Sequence, residues 1–462
     1  MSASPFAFLR GAATIMARDL AGTPASGIRV QLAGDAHLGN FGVFGTPERD
    51  LVFDVNDFDE TLPGPWEWDV KRLATSLFVA GQQNRISRTD LRSVVRSTVH
   101  GYRNWMQRFA SMPYLSVWYW HLDRAESLSQ LSPIGRAMVR RAVARARGQT
   151  DLHAFPKMAR PGPGGKVRIR DEPPLIVHYR DPADDYASRT FFDRYRSTLP
   201  EERRLLLDRY EVVDVAQKVV GVGSVGTTCS VLLLLGDGDV GDPLFLQLKE
   251  ADDSALEAYL PRSIYPNHAQ RVVVGQHLIQ EASDVLLGWS RWRSRDFYIR
   301  QLRDMKFAVD IGEMGARELA GHAELCATAL ARAHARTGDP AIIAGYLGEK
   351  DLFDVAITKF AEAYAEQNSA DYRLLVEAIR DGRLPCRQGG RSGPTGPTMG
   401  PLAVHLGRRI RARSYRMTKY QTHTIASTDP QMVRKVSGST SVRAAGFARS
   451  IHEIPLSVAN LS

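Results

Sequence analysis

The sequence predicts an α+β fold with two lobes, one made mainly of helices and the other mainly of strands. Apolar residues recur at helical spacing in most of residues 1–150 and again from 314 to 380. Between them, the chain from 212 to 251 is dominated by β-branched residues and leucines, which favour strands. We therefore predict a helical lobe with two polar loops at 1–200, a β-rich lobe at 201–310, helices completing the first lobe at 311–385, and a basic extension rich in Gly, Pro and Ser at 386–462.

The composition is that of a globular protein. Of the 462 residues, 44% are hydrophobic and 24% charged, which are ordinary values. The chain contains no run of 18 apolar residues, so we expect no membrane span, and its start lacks the features of a signal peptide. Cys229, Cys326 and Cys386 form no C-x-x-C pair, which argues against zinc and disulfides. These features predict a cytoplasmic protein.

The net charge of +9 is concentrated at the end of the chain. From Arg383 onward there are 13 Lys and Arg residues against two Asp and Glu, so the rest of the chain carries a net charge of −2. A basic body would suggest nucleic acid as a partner. Here only the tail could bind nucleic acid, without sequence specificity and in a salt-dependent way.

Residues 5–21 carry apolar side chains at helical spacing and predict a helix that leads into the first polar loop. Arg10 and Arg18 lie on this helix. Either could contact phosphate or carboxylates, but we expect both to belong to a solvated helix face.

Two polar stretches follow short predicted strands, at 34–42 and 53–60. Carboxylates packed together repel one another and their pKa values rise, a cost that a hard cation removes. Oxygen ligands from Asp and Asn suit Mg²⁺, which usually completes its shell with water and substrate phosphates. The alternative is a pair of Asp-rich turns that cap strands. The stretches contain Asp35, His37, Asn40, Asp54, Asn56, Asp57, Asp59 and Glu60.

The spacing of Asp35 and Asn40 matches a kinase catalytic loop, in which the Asp faces the acceptor hydroxyl and the Asn holds a metal ion. A second Asp, after a strand about twenty residues on, would bind metal. We rank Asp57 first, Asp59 second and Asp54 third. Asp35 and His37 are the predicted catalytic residues of this region.

A glycine-rich segment, Gly221-x-Gly223-Ser224-x-Gly226, is flanked on both sides by strand-forming residues. A dinucleotide fold would need a helix after the glycines. A strand, loop and strand instead predict a hairpin whose backbone N–H groups cover nucleotide phosphates. Glycine suits this role because a side chain would block the close approach of phosphate. The alternative is a plain hairpin with a flexible tip.

Lys249 ends the next apolar strand, and we predict that it contacts the nucleotide phosphates. Such a lysine needs a Glu partner from a nearby helix. Glu257 and Glu281 are the candidates, and the sequence does not choose between them. Residues 297–306 predict a strand entering a connection, where a kinase hinge would hold adenine.

In an ordinary kinase the glycine loop precedes the catalytic Asp, whereas here it follows by some 180 residues. A circular permutation resolves this, because the parts of a site are defined by geometry and not by chain order. The motifs at 34–40, 56–59 and 63–70 resemble the aminoglycoside and choline phosphotransferases of the protein-kinase-like superfamily. That resemblance implies that Asp69 braces the catalytic loop. Over residues 5–380 the chain also resembles the bacterial family called domain of unknown function 2252.

The resemblance implies an ATP- and Mg²⁺-dependent phosphotransferase that acts on a hydroxyl of a small molecule or peptide. Nucleotidyl transfer on the same scaffold, a non-catalytic kinase-like binding protein and a metal-dependent hydrolase remain as alternatives. The predicted nucleotide-binding residues are Gly221, Gly223, Ser224, Gly226, Lys249, Glu257 and Glu281, and the predicted metal ligands are Asn40, Asp57, Asp59 and Asp54.

Overall fold

A computed structural model of the chain describes residues 1–122, 125–147, 150–162, 167–178, 189–219, 227–236, 239–302 and 307–384. Its helices and strands confirm the predicted α+β class. The helices are α1 (Pro5–Arg10), α2 (Ala13–Ala21), α3 (Glu67–Gln83), α4 (Arg88–Ala110), α5 (Tyr114–Trp118), α6 (Ala125–Ser129), α7 (Pro133–Ala146), α8 (Asp151–Met158), α9 (Arg189–Ser197), α10 (Glu201–Leu207), α11 (His268–Ile279), α12 (Ala316–Thr337), α13 (Pro340–Leu347) and α14 (Leu352–Arg380). The strands are β1 (Arg29–Leu32), β2 (Phe41–Gly45), β3 (Leu51–Val55), β4 (Leu62–Pro65), β5 (Ala159–Pro161), β6 (Val167–Ile169), β7 (Ile176–His178), β8 (Tyr210–Lys218), β9 (Cys229–Gly236), β10 (Asp239–Ala251), β11 (Gly288–Trp292), β12 (Arg295–Gln301) and β13 (Phe307–Ala308).

Helix α3 lies at the centre of the helical part. All its residues from 67 to 81 are buried, so it is covered on every side and does not show one solvated face. Helices α4, α12 and α14 pack around it. Together with β1 to β4 and α11 they form the largest apolar core. This core holds α3 rigidly beside the first polar loop.

A six-stranded antiparallel sheet, in the order β11-β12-β10-β9-β8-β7, forms the β-rich part. Side chains alternate between its two faces, as strand geometry requires. Leu232 and Leu234 of β9 enter a core with α9 and α10, whereas Val231 and Leu233 enter a core with α8. Helices α8 to α10 thus pack on the sheet, although the sequence boundary at residue 200 places α8 and α9 in the helical lobe. All the described residues belong to one compact unit.

Two small sheets bring the polar loops together. Strands β1 and β4 pair, and so do β2 and β3. The loop after β1, residues 33–40, which we call the catalytic loop, ends as β2 begins. The loop between β3 and β4, residues 56–61, which we call the acidic loop, therefore starts beside the end of the catalytic loop. The two loops are adjacent because the strands that carry them are paired.

Several predicted helices are shorter than expected. The helix predicted at 5–21 is divided at Gly11 into α1 and α2, and the helical region at 114–148 is divided into α5, α6 and α7. Pro133 is the first residue of α7, a position that suits its fixed backbone angle, and Pro113 directly precedes α5. None of the helices in the described ranges has the length and apolar character needed to cross a membrane. The glycine-rich segment 221–226 and the extension 386–462 lie outside the described residues.

Candidate functional site

Asp35, the predicted catalytic residue, is held by an arginine that the sequence analysis did not identify. Arg72 of α3 donates to Asp35 Oδ1 through Nε at 2.7 Å. Its other nitrogens donate to the Leu9 carbonyl at 2.7 Å and approach the Met16 sulfur at 3.3 Å. All three nitrogens of Arg72 therefore have partners, and the end of α1 is fixed beside the Asp35 carboxylate. The second oxygen, Asp35 Oδ2, faces His37.

The backbone before Asp35 is braced by Asp69, as the resemblance implies. Asp69 Oδ2 accepts from the Ala33 N–H at 2.7 Å and Oδ1 accepts from the Gly34 N–H at 3.0 Å. His334 Nε2 lies 3.3 Å from Asp69, and its Nδ1 lies 2.8 Å from the Tyr102 hydroxyl. These groups are buried, so the catalytic loop rests on a dehydrated polar network that connects α3, α4 and α12.

His37 is buried and neutral. Burial lowers its pKa to about 4; Asp35 opposes this shift, and Arg72 and Arg10 add to it. The Gly39 N–H donates to His37 Nδ1 at 3.1 Å, so the ring proton lies on Nε2, which is 3.5 Å from Asp35 Oδ2. The ring can orient Asp35 through this N–H, but it does not carry an acidic proton at neutral pH.

Asn40 connects the two loops. Its side-chain nitrogen donates to the Asp35 carbonyl at 2.9 Å, and its own carbonyl accepts from the Asn56 N–H at 2.8 Å. Because the amide nitrogen is already bonded, the side-chain carbonyl oxygen is the atom that Asn40 would offer to a cation.

Lys249 contacts the acidic loop, although almost 200 residues separate the two in the sequence. Its Nζ donates to Asp59 and lies 3.6 Å from Asp57 Oδ1. The Tyr298 hydroxyl donates to Asp59 Oδ1 at 2.8 Å. The lysine side chain is only 7% exposed, so it forms a charged contact that is shielded from water on the sheet side.

The pKa values of Lys249, Asp57 and Asp59 are shifted in different directions. Burial lowers the pKa of Lys249, but Asp57 and Asp59 raise it by more, and the result lies well above the usual value. Burial raises the pKa of Asp57, but Lys249 and Arg300 together lower it by a larger amount, so this carboxyl is ionised. Burial and the charge of Asp57 both raise the pKa of Asp59. The two carboxylates are therefore not fully compensated by the lysine.

Arg300 is a second cation of the site that the sequence analysis missed. It donates to the Gln247 side chain at 3.1 Å and to the Asn56 carbonyl at 3.1 Å. Its guanidinium stacks on Tyr298 at 5.6 Å. The only signal in the sequence is its period-two spacing with Tyr298, which places both residues on one face of β12 and is too general to select Arg300.

Glu60 attaches the acidic loop to the β-rich part. Its carboxylate accepts from the Ala255 N–H at 2.5 Å and lies 3.2 Å from the Ser254 hydroxyl, which also donates to the Glu60 carbonyl at 2.9 Å. Burial raises the pKa of Glu60 to about 7. Arg271 of α11 adds a contact, donating to the Thr61 carbonyl at 2.8 Å.

Neither predicted glutamate partner contacts Lys249. Glu257 caps the short helical turn Ala255–Ala258 and lies 3.7 Å from Arg271. Glu281 pairs with His121. Lys249 is paired instead with Asp57 and Asp59, because the acidic loop and not a helix faces its strand.

Asp54 has a structural position. It is completely buried, bonded to Arg332, and accepts from the Glu281 N–H at 2.7 Å and the Val55 N–H at 2.9 Å. Both carboxylate oxygens are occupied by these donors. We therefore leave Asp54 out of the metal ligands proposed below.

The comparison with protein families gives a match over most of the chain. The family described as uncharacterized protein conserved in bacteria (DUF2252) matches residues 1–378. The chain belongs to this family. No curated protein and no solved structure matches this DUF2252 chain. The family assignment agrees with the resemblance found in the sequence and leaves the activity open.

The residues of the DUF2252 chain fit a divalent cation at the acidic loop. Among the described residues no three His, Cys, Asp or Glu side chains converge as a closed metal cage. Mg²⁺ does not require one, because it often binds through one or two carboxylates and substrate phosphates. Burial and, after it, the charge of Asp57 raise the pKa of Asp59, and a cation would relieve the repulsion between these two carboxylates. With the side-chain oxygen of Asn40, they form a suitable ligand set.

Proposed function

We propose that this protein is an ATP- and Mg²⁺-dependent phosphotransferase. The observation that carries the proposal is the 3.6 Å distance between Lys249 Nζ and Asp57 Oδ1. A phosphate-binding lysine and a metal-binding aspartate must converge on one triphosphate in a kinase site. The sequence predicted this convergence from two segments that are remote along the chain.

The position of Lys249 within its sheet supports the same reading. Strands β8 to β12 form a continuous antiparallel set, Lys249 ends the third of them, and α11 follows before the fourth. Protein kinases carry their lysine on the third strand, with the Glu-bearing helix after it. The chain departs from kinases at this helix, because α11 contains no acidic residue. The acidic loop supplies the partner of the lysine instead.

The chain order is compatible with a circular permutation. Thr337, the last residue of α12, accepts a hydrogen bond from the Gln31 N–H of β1 at 3.2 Å. A chain joined at this contact would run from Lys249 through α12 into β1 and the catalytic loop. That path restores the order of an ordinary kinase, in which the lysine precedes the catalytic Asp.

The residues support a direct transfer. The acceptor oxygen would attack the γ-phosphorus of ATP, the bond from that phosphorus to the β–γ bridging oxygen would break, and ADP would leave. The acceptor proton would pass to Asp35, whose Oδ2 is not bonded by Arg72. Asn40, Asp57 and Asp59 would hold Mg²⁺, which neutralises phosphate charge when bound. Lys249 and Arg300 would position the phosphates and stabilise the charge of the transition state.

Nucleotide binding tests the proposal. We expect ATP with Mg²⁺ to raise the melting temperature of the wild-type protein, since a ligand at 100 times its Kd stabilises by about 2.7 kcal/mol. Asp57→Asn should abolish the shift. Asp50→Asn, which changes an exposed aspartate of the turn between β2 and β3, should retain it. A wild-type protein with no shift for any nucleoside triphosphate contradicts the proposal. Once an acceptor is found, the mass of the product separates phosphoryl transfer from nucleotidyl transfer.

A further inference from the structure

Arg10 is the last residue of α1, and it faces the catalytic loop. A Cβ placed on Gly39 would lie 3.6 Å from Arg10 Nε. The charge of Arg10 also contributes to the lowered pKa of His37. The sequence predicts a solvated helix face for Arg10, but this side chain is partly buried beside the predicted catalytic residues.

Among the residues that the structure describes, none accepts a hydrogen bond from the Arg10 guanidinium or forms an ion pair with it, and its Nε is buried without a partner. A buried donor left unsatisfied is costly, so proteins usually provide it with an acceptor. Arg72 shows the alternative at the same loop, because its nitrogens are taken up by Asp35, Leu9 and Met16. Arg72 therefore holds the catalytic loop, whereas the charge of Arg10 is available to bind a ligand.

The Asp35 carboxylate of the catalytic loop is already bonded to Arg72 through Oδ1. Arg72 Nη2 lies 2.7 Å from both the Leu9 carbonyl and Asp35 Oδ1, so the end of α1 is held next to the predicted base. An anion at Arg10 would thus lie beside the hydroxyl that Asp35 accepts a proton from.

We infer that Arg10 binds an anionic group of the acceptor, so that the acceptor is a hydroxyl compound carrying a phosphate or a carboxylate. The guanidinium fork matches both groups, with two parallel N–H donors. The inference rests on the proposed phosphotransferase function. It also departs from the amine-bearing acceptors that the resemblance to aminoglycoside and choline phosphotransferases implies, since an unpaired arginine repels a cation.

Inorganic phosphate is the probe, titrated at constant ionic strength while the melting temperature and heat of binding are measured. We expect saturable binding to the wild type and at least a tenfold loss of affinity in Arg10→Met and Arg10→Gln. Neither variant removes a hydrogen bond, so both should fold. Arg18→Met is the matched control, because Arg18 lies nearby on α2, is half exposed and pairs with Asp19. It should bind phosphate as the wild type does.

Lys249→Met separates this site from the nucleotide site. Phosphate binding should persist in Lys249→Met, and the affinity of Arg10→Met for ATP with Mg²⁺ should stay within about twofold of the wild type. Three results would overturn the inference: no saturable binding of phosphate to the wild type, full binding to Arg10→Met, or loss of ATP binding in Arg10→Met. Stabilisation by choline instead of phosphate would also overturn it. If phosphate binds through Arg10 but ATP does not bind, the anion site stands and the proposed function fails.

Discussion

Gly34 and Glu60 bring the catalytic and acidic loops so close that a Cβ at residue 34 would lie 2.1 Å from the Glu60 carbonyl oxygen. Gly34 also has a φ of +83°, a backbone conformation that favours glycine. The contact is between backbones, so no side-chain rotation can relieve it. The spacing between Asp35 and the acidic loop therefore depends on the absence of a side chain at this position.

We expect Gly34→Ala to lower the free energy of unfolding by about 3 kcal/mol or more, from backbone strain and the clash combined. Gly27→Ala is a matched control, since Gly27 has a φ of +82° and nothing within 4 Å of the added Cβ. It should cost about 1 kcal/mol. Urea denaturation of both variants measures the difference. Equal losses would show that the loops are not in contact as described.

The pairing of Lys249 with two carboxylates leads to a prediction about Mg²⁺. Lys249→Met removes the cation that faces Asp57 and Asp59, so their repulsion should lower the free energy of unfolding by about 1–3 kcal/mol. The loss is smaller than for a fully buried pair, because the carboxylates are 37% and 29% exposed. Mg²⁺ alone should restore more stability to Lys249→Met than to the wild type.

The control for this effect removes the ligands as well. In the triple variant Lys249→Met, Asp57→Asn, Asp59→Asn, Mg²⁺ should no longer stabilise the protein. Thermal melts with and without Mg²⁺, with Ca²⁺ for comparison, provide the measurement. A stabilisation by Mg²⁺ that survives in the triple variant would place the cation elsewhere.

The sequence predicted the parts of this site that local pattern controls. Their positions in loops after short strands predict Asp35, Asn40 and Asp57 as site residues. The alternation of side chains predicts that Lys249 lies on a buried strand. The helix predicted from Trp68 to Gln82 is observed as α3. These features depend on neighbours within a few residues, which is the range over which period and turn chemistry act.

The partners across the fold could not be predicted in the same way. Arg72 looks like any charged residue of a helix until α3 is found to be buried on all sides. The sequence predicts the partner of Lys249 on a helix, but the register of β10 with β12 places Lys249 beside Tyr298, and both contact Asp59 of the acidic loop. The sequence predicts a solvated face for Arg10, because a short segment does not reveal what packs over it. Each of these depends on contacts between distant segments.

Arg72 should be more important for stability than a typical arginine. Arg72→Met would leave Asp35 and the end of α1 without their donor, in an ion pair whose side chains are 3% and 16% exposed. Removing one partner of such a pair typically costs about 3–5 kcal/mol. Arg72→Lys should recover only part of this, since an ammonium cannot reach all three of its contacts.

A double variant isolates the charge from the packing. Arg72→Met with Asp35→Asn should be more stable than Arg72→Met alone, because no buried carboxylate is left unpaired. Guanidinium denaturation of the wild type, Arg72→Met, Asp35→Asn and the double variant completes the cycle. If Arg72→Met costs less than about 1 kcal/mol, the arginine does not hold the loop as the structure indicates.

Glu60 should make the stability of the protein fall as the pH rises from 5 to 8. Burial raises its pKa to about 7, opposed by the Ala255 N–H and Arg271 and assisted by Asp35 and Asp59. Below pH 4.5 the carboxyl is protonated in both states. Between that value and 7 the folded state retains the proton longer, so the stabilisation is lost as the pH rises through this window.

Glu60→Gln cannot titrate but retains an oxygen to accept from the Ala255 N–H. The wild type should therefore lose about 1–3 kcal/mol more than Glu60→Gln between pH 5 and 8. Glu48→Gln, at an exposed site in the turn between β2 and β3, should follow the wild-type curve. Urea unfolding at each pH, in buffer without divalent cations, measures the three curves. If the wild type and Glu60→Gln run parallel, Glu60 is already ionised throughout the range, and the bond to the Ala255 N–H outweighs its burial.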